Sequence, residues 1–223
     1  MEIKVLNSWL TLPEIKSQII SESTPQLAFV KSHKSDIQKE MGALKSIITG
    51  LTLNSVYDLM AGSGFSGRVF EYMGCKNLIL NDLSKECYNS LLFNFSNSKV
   101  YNLSAENVPI QHKSDLLFCD FNNFSNKTYD IWLPILRYLV SKKAKYILFT
   151  DSTSYCFKFG SIKPKNHFNN LNNKLISDLN LYINKICIFG NASLLLCSNY
   201  KTNLEYVTYK PIFYSIEPYR GLF

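Results

Sequence analysis

The sequence predicts an α/β domain built on a mostly parallel sheet. Three observations carry that expectation. Short β-rich runs alternate with helical patterns from Ser55 to Asp151. A glycine-rich turn separates the first of those runs from the helix after it. Acidic residues fall at the ends of successive runs, at Asp58, Asp82 and Asp120.

The elements follow in order. Residues 24–49, "TPQLAFVKSHKSDIQKEMGALKSIIT", read as one or two helices, with Thr24-Pro25 as a start. Leu27, Val30, Ile37, Met41, Leu44 and Ile48 follow helical spacing, and lysines fill the gaps. "SVYDLMA" is strand-like, and "SGRVFEYMG" is a short helix ending at Gly74. "NLILND" is a strand and "SKECYNSLLFNFSN" a helix. "KVYNLS" is a strand followed by a polar loop, and "SDLLFCDF" is another strand. "NKTYDIWLPILRYLVSKK" is mostly helix, and "KYILFTD" is a strand. Beyond Thr150 the pattern changes. "STSYCFKFGSIKPKNHF" reads as irregular, aromatic and basic, and "NNLNNKLISDLNLY" as a helix. "KICIFGNASLLLCSNY" and "LEYVTYKPIFYSI" are two β-rich runs, expected to close the sheet edge as an antiparallel pair. No internal repeat and no linker divides the chain. Residues 51–223 are read as one domain and residues 1–50 as an N-terminal helical extension.

Composition bounds the function. The chain has 223 residues, 46% of them hydrophobic, enough for one domain with a sizeable core. The formal charge is +7, carried almost wholly by lysine, since Arg68, Arg137 and Arg220 are the only arginines. Lysine and asparagine in place of arginine and alanine point to an AT-rich genome, such as that of a phage, a virus or a low-GC bacterium. A positive field favours nucleic acid or another anionic partner. No apolar run approaches the ~20 residues that span a bilayer. The first residues lack the apolar core of a signal peptide, so a cytoplasmic location is expected. The six cysteines are scattered without C-x-x-C spacing, which gives neither a zinc site nor a disulfide framework. His33, His112 and His167 are isolated by spacing, and no metal is expected.

Gly62-Ser63-Gly64-Phe65-Ser66-Gly67 is a G-x-G-x-x-G between a strand and a helix. Glycines there let the main chain approach a ligand, and the helix N-terminus offers free N–H groups. Asp82 ends the next strand, 20 residues after Gly62, where a carboxylate reaches ribose hydroxyls. Two readings compete. A nicotinamide dehydrogenase would keep the strand apolar up to the first glycine. Here Asp58 interrupts the strand and Ala61 precedes Gly62.

"DLMAGSGFSG" instead resembles motif I of the class I S-adenosylmethionine-dependent methyltransferases. It is most similar to the D-x-F-A-G-S-G form common in nucleic-acid methyltransferases, with Met60 at the phenylalanine position. "NDLS" resembles motif II of the same family. The resemblance covers residues 55–124 by motif and 125–216 by strand order. It implies a Rossmann-like, seven-stranded sheet with an antiparallel C-terminal strand, and S-adenosyl-L-methionine as cofactor. The implied cofactor contacts are Asp58, Ala61, Gly62, Ser63, Gly64, Asp82 and Leu83. "NLSAENVPI" resembles the loop that holds the adenine, with Ser104 at the usual aspartate position and the Ala105 N–H beside it.

At the fourth strand, family members that methylate base amino groups carry [DNS]-P-P-[YFW]. Here Asp120-Phe121-Asn122-Asn123-Phe124 lacks both prolines. The resemblance assigns Asp120, Asn122 and Phe124 to catalysis, with Asp120 and Phe121 also against the cofactor. Asp120 and Asn122 would hydrogen-bond the acceptor while Phe121 or Phe124 stacks on it. The alternative is that Asp120 caps the strand and "NNF" is a turn. Cys119 has no neighbouring proline, so attack through a cysteine is not implied. Asn123, Tyr155, Lys158, Lys163 and Lys165 are the expected acceptor contacts. With Phe157, Phe159, His167 and Phe168 they suit nucleic acid, lysines for phosphate and rings for bases. The alternative is a solvated loop with its rings tucked under. Three functional readings stay open: a nucleic-acid methyltransferase, a small-molecule or protein methyltransferase, and a non-catalytic member that binds a partner. Oligomeric state is not readable.

Overall fold

Leu116, Leu117, Phe118 and Cys119 are at most 1% exposed, which marks the strand they form as covered on both faces. The computed structural model describes residues 18–21, 31–121, 124, 128–152, 164–212 and 216–219. Its elements run β1 (Gln18–Ser21), α1 (Lys34–Ile48), β2 (Ser55–Asp58), α2 (Phe65–Tyr72), β3 (Asn77–Asn81), α3 (Lys85–Asn94) and β4 (Lys99–Tyr101). A 3-10 turn at Ala105–Asn107 leads to β5 (Leu116–Cys119), α4 (Tyr129–Ser141), β6 (Tyr146–Asp151) and α5 (Pro164–Leu179). Then come β7 (Tyr182–Phe189), β8 (Ala192–Ser198), β9 (Glu205–Tyr206) and β10 (Ile216–Tyr219).

The main sheet has the order β4-β3-β2-β5-β6-β8-β7-β9. Strands β2 to β6 are all parallel, and β8 alone runs antiparallel to its neighbours β6 and β7. Alternation along the strands separates two cores. Val56, Leu116 and Phe118 face α1 and α2, meeting Leu44, Ile47 and Phe70. Tyr57, Leu117 and Cys119 face α4 and α5, meeting Leu136, Leu139 and Leu171. Each such side chain contributes roughly 1.5–3 kcal/mol by leaving water.

The carboxyl ends of the strands matter most for function. The chain leaves β2 toward β3 on one side and returns to β5 on the other, so the strand order reverses there. In open sheets of this kind ligands sit in the crevice above that switch point.

Three expectations are corrected. The antiparallel pair is not formed between the two C-terminal β-rich runs. It is a hairpin inside the first, β7 and β8 joined at Gly190-Asn191, with Gly190 at φ +52°. Among the described residues of the second run, the two of β9 join the main sheet as an eighth strand, and β10 pairs in parallel with β1 in a separate ribbon. The helix expected from Asn169 starts at Pro164, a residue suited to a first helical turn. This places His167 and Phe168 on α5, each 1% exposed, with Phe168 continuing the buried stripe of Leu171 and Leu175. Their rings are not offered to a ligand: His167 Nε2 lies 3.0 Å from Asp151 Oδ2 in the interior.

Helix α1 is seated in the first core through Ala43, Leu44, Ile47 and Ile48, all fully buried. A Cβ at Gly42 would fall 2.0 Å from the Lys210 carbonyl oxygen, so only glycine admits that crossing. The Ile212 N–H donates to the Gln38 carbonyl at 3.0 Å and fixes the contact. No helix of the described residues is long and apolar enough to cross a membrane.

Candidate active site

The turn after β2 is built from backbone bonds. Leu59 N–H donates to the Phe118 carbonyl, Ala61 N–H to the Asn81 carbonyl, and Gly64 N–H to the Ala61 carbonyl. Gly62 and Gly64 sit at φ +53° and +93°, in the left-handed region. Their roles differ. A Cβ on Gly64 would lie 2.4 Å from the Phe95 ring, so that glycine serves packing. A Cβ on Gly62 would meet nothing within 4 Å, so that glycine faces open space.

Asp82, past the end of β3, borders the same space. Its Oδ2 accepts from Gly62 N–H at 2.8 Å and its Oδ1 from Ser84 N–H at 2.8 Å. Each oxygen keeps a second lone pair for a ligand hydroxyl. Leu83 is 72% exposed and Leu103 37%, leaving two apolar faces beside Asp82. Ser104 Oγ accepts from Asn107 Nδ2 at 2.8 Å, and Ala105 opens the 3-10 turn.

Asn81 organises this corner and was not expected from the sequence. It is 1% exposed. Its Nδ2 donates to the Leu59 and Leu103 carbonyls, both at 2.9 Å, and its Oδ1 accepts from Leu103 N–H at 3.1 Å. One amide thus ties the ends of β2 and β4 to β3. The readable signal was a polar residue at the buried end of an apolar strand, in "LILND".

Asp58 is fully buried at the end of β2, and the Ser66 hydroxyl donates to its Oδ2. Its Oδ1 has no hydrogen-bond partner of good geometry. Burial pushes this carboxyl up to about 8, against the opposing Ser66 bond and with help from Asp120 and Asp82. Asp120, just past β5, is also raised, by burial first and by Asp82, while Thr150 opposes the rise. The Thr150 hydroxyl lies 3.0 Å from Asp120 Oδ1 and 2.9 Å from the Phe121 carbonyl and shares its single proton between them. Glu40 of α1 lines the same crevice, and nothing in its surrounding sequence marked it. Its carboxyl is held well above the usual range by burial, then by Asp120 and Asp58. Cys119 is fully buried and its thiol is likewise raised, which keeps it from acting as a thiolate.

The aromatics are placed unevenly. Phe121 stands at the crevice wall against Trp132, with ring centroids 4.6 Å apart. Phe124, expected to stack on an acceptor, is fully buried between Phe121 and Phe149. Its carbonyl accepts from Ser152 N–H at 2.9 Å, so it serves packing and loop closure. Asn122, Asn123, Tyr155, Lys158 and Lys163 lie outside the described residues. Lys165 falls in α5, and its side chain lies outside them too.

These residues surround a crevice of about 1280 Å³. Its lining includes Gly62, Ser63, Asp82, Leu83, Ser104 and Ala105. Glu40 and Ile37 of α1, the Gly190-Asn191 turn and Thr150 line it as well. The lining carries six acids, Asp36, Glu40, Asp82, Glu86, Glu106 and Asp120, with His33 and no lysine or arginine among the described residues. An acid-lined crevice in a chain of net charge +7 is a local charge reversal. No group of three His, Cys, Asp or Glu among the described residues could hold a metal ion.

No protein-family model matches the chain, and no curated protein matches it in sequence. Solved structures do match. Magnesium protoporphyrin IX methyltransferase (ChlM) from Synechocystis PCC 6803, with SAH (S-adenosylhomocysteine) bound, superposes with a TM-score of 0.58 at 11% identity, covering 76% of this chain and 86% of that one. An S-adenosylmethionine-dependent methyltransferase from Clostridium acetobutylicum ATCC 824 gives 0.56 at 14% identity, covering 77% and 96%. The ribosomal protein L11 methylase from Lactobacillus delbrueckii subsp. bulgaricus gives 0.54 at 16% identity, covering 74% and 78%. At these identities the likeness is one of architecture, and it agrees with the strand order and the glycine turn described above: the chain has the fold of the class I, Rossmann-like S-adenosylmethionine-dependent methyltransferases.

Proposed function

We propose that the protein is a methyltransferase that takes its methyl group from S-adenosylmethionine and passes it to a small-molecule or protein acceptor. The observation that carries the cofactor is the open face of Gly62 bonded to Asp82 at the crevice wall. Asp82 would accept from the ribose hydroxyls, Leu83 and Leu103 would cover the adenine faces, and Ser104 and Ala105 would border its edge. Ala61, Gly62 and Ser63 would bring the main chain against the methionine portion. When bound, the cofactor supplies a methyl group already activated by the sulfonium. The chain's residues then have to align the acceptor and exclude water. Asp120 and Phe121, just past β5, line the same crevice and are suited to that task.

The acceptor assignment rests on charge. A phosphate entering the crevice would meet acids and no lysine or arginine among the described lining residues. A nucleic-acid acceptor is the second reading, favoured by the net charge of +7. It would need lysines 158, 163 and 165 to hold phosphates outside the crevice while an uncharged base enters.

The test is incubation with methyl-labelled S-adenosylmethionine and separate pools of DNA, RNA, protein and small metabolites. Label in the protein or metabolite pool is expected. Label in DNA or RNA, lost when the three lysines are neutralised, supports the second reading. Cofactor binding without label in any pool would leave a non-catalytic member of the fold. Absence of binding to S-adenosylmethionine and S-adenosylhomocysteine overturns the assignment altogether.

A further inference from the structure

We propose that Asn102, together with Asn81, is a positioning residue for the nucleoside of the cofactor. Their two side-chain amides cross-link the ends of β3 and β4 and fix Asp82, Leu83 and Leu103 before the ligand arrives. This rests on the methyltransferase reading and names what sets the affinity of its ribose and adenine end.

The two amides act reciprocally. Strands β3 and β4 are parallel, with Asn81 opposite Tyr101 as the last pair in register. Just beyond it, Asp82 N–H donates to the Tyr101 carbonyl at 3.3 Å, a long bond that ends the ladder. Side chains then take over from the backbone. Asn102 Nδ2 donates to the carbonyls of Asp82 at 2.8 Å and Leu83 at 2.9 Å. In the other direction, Asn81 Oδ1 accepts from Leu103 N–H and Asn81 Nδ2 donates to the Leu103 carbonyl. Each asparagine thus holds the main chain that leaves the neighbouring strand.

What they hold is crevice wall. Asp82, Leu83 and Leu103 all line the crevice, whereas Asn102 does not, so Asn102 acts through them. Leu83 is 72% exposed and Leu103 37%. Four side-chain bonds therefore fix main chain that presents two leucines to water rather than to a core. That arrangement gains little hydrophobic burial in the unliganded fold, while a planar base resting on both leucines would cover them. Asp82 is fixed from both ends: its carboxylate accepts from Gly62 and Ser84 N–H, and its carbonyl from Asn102. A wall held in place beforehand spares binding the cost of ordering it.

Asparagine suits the task because its Nδ2 carries two protons, one for each carbonyl. Serine has one donor, and leucine, of similar size, has none. Asn81 is 1% exposed, so its replacement would strand buried backbone groups and threaten the fold itself. Asn102 is half-buried, and water can reach the carbonyls it leaves. Asn102 is therefore the member of the pair whose loss separates ligand positioning from folding.

The test is calorimetry on the full chain with S-adenosylhomocysteine and its 2′-deoxy analogue. The variants are Asn102→Leu, Asn102→Ser, Asp82→Ala and the combination of Asn102→Leu with Asp82→Ala. Asn102→Leu should weaken S-adenosylhomocysteine by about fivefold or more, and Asn102→Ser by less, since one donor remains. The parent's preference for the ligand with the 2′-hydroxyl should shrink by about twofold or more in Asn102→Leu, because Asp82 is no longer held in orientation. On the Asp82→Ala background the further loss from Asn102→Leu should be smaller by about twofold or more, as expected of residues that act as a unit. Thermal melts show which variants fold, and Asn102→Ser carries the comparison if Asn102→Leu does not. Parent-like affinity in a folded Asn102 variant, an unchanged preference between the two ligands, or strictly additive losses with Asp82→Ala would overturn the proposal and leave the amides a purely structural tie. Failure of the parent to bind S-adenosylhomocysteine at all would instead sink the methyltransferase reading, and the positioning role with it.

Discussion

Gly62 N–H donates to Asp82 Oδ2 at 2.8 Å. Two residues 20 positions apart thus form one unit, with the glycine fixing the carboxylate and the carboxylate pinning the glycine turn. Asp82→Ala removes a charged acceptor for two ribose hydroxyls and also loosens the turn. S-adenosylhomocysteine binding should weaken by roughly 2–4 kcal/mol. Calorimetry checks this, and parent-like affinity in the variant would remove Asp82 from the cofactor site.

The glycines should separate by phenotype. Gly64→Ala places a methyl group 2.4 Å from the Phe95 ring at φ +93°. It should destabilise the fold by about 2 kcal/mol or more, through overpacking and left-handed strain. Gly62→Val meets no packed neighbour but intrudes on the crevice. It should cost more in cofactor affinity than Gly64→Ala does. Urea unfolding and ligand titration of both variants read the two effects independently.

Asp58 predicts the direction of a pH dependence. Its carboxyl is held at about 8 by burial, while the unfolded chain titrates near 3.9. Between those values the folded protein keeps a proton that the unfolded chain has released. The stability contribution of this group is therefore complete below about pH 4 and declines as pH rises toward 8. Asp58→Asn keeps an acceptor for Ser66 and removes the ionisation. Between pH 5 and 8 the parent should lose at least about 1 kcal/mol more stability than the variant. Urea denaturation at both pH values measures the difference, and equal slopes would contradict it.

Asp120→Ala should abolish methyl transfer and leave cofactor affinity within about tenfold, near 1.4 kcal/mol or less. Thr150→Val removes the hydroxyl shared by Asp120 and the Phe121 carbonyl. It should slow transfer without ending it, because the carboxyl remains but its orientation is less fixed. Single-turnover rates with labelled cofactor compare the two, and an active Asp120→Ala would move the acceptor site elsewhere.

From β2 to β6 the order of elements was legible because each signal is local. Apolar runs and the Gly62–Gly67 turn lie within a few residues of what they define. The β7–β8 hairpin was missed because Gly190-Asn191 interrupts an otherwise continuous apolar run, and only cross-strand pairing shows the reversal. Phe124 and Phe168 illustrate a second limit. An aromatic next to polar residues reads equally as a stacking surface or as core, and both proved buried.

By itself the sequence determined the fold class, the glycine turn and the acid twenty residues beyond it, because backbone conformation and strand ends follow from near neighbours. Tertiary structure alone decided that Asn81 ties three strand ends, that Glu40 and Asp120 line one crevice, and that a basic chain carries an acid-lined crevice. On a lysine-rich helix Glu40 looks like one more solvated charge. Its place at the crevice comes from α1 docking on β7 and β8, which carries it over strand ends from which the chain separates it by many residues. Electrostatic energy depends on distance and burial, and neither is a property of sequence spacing.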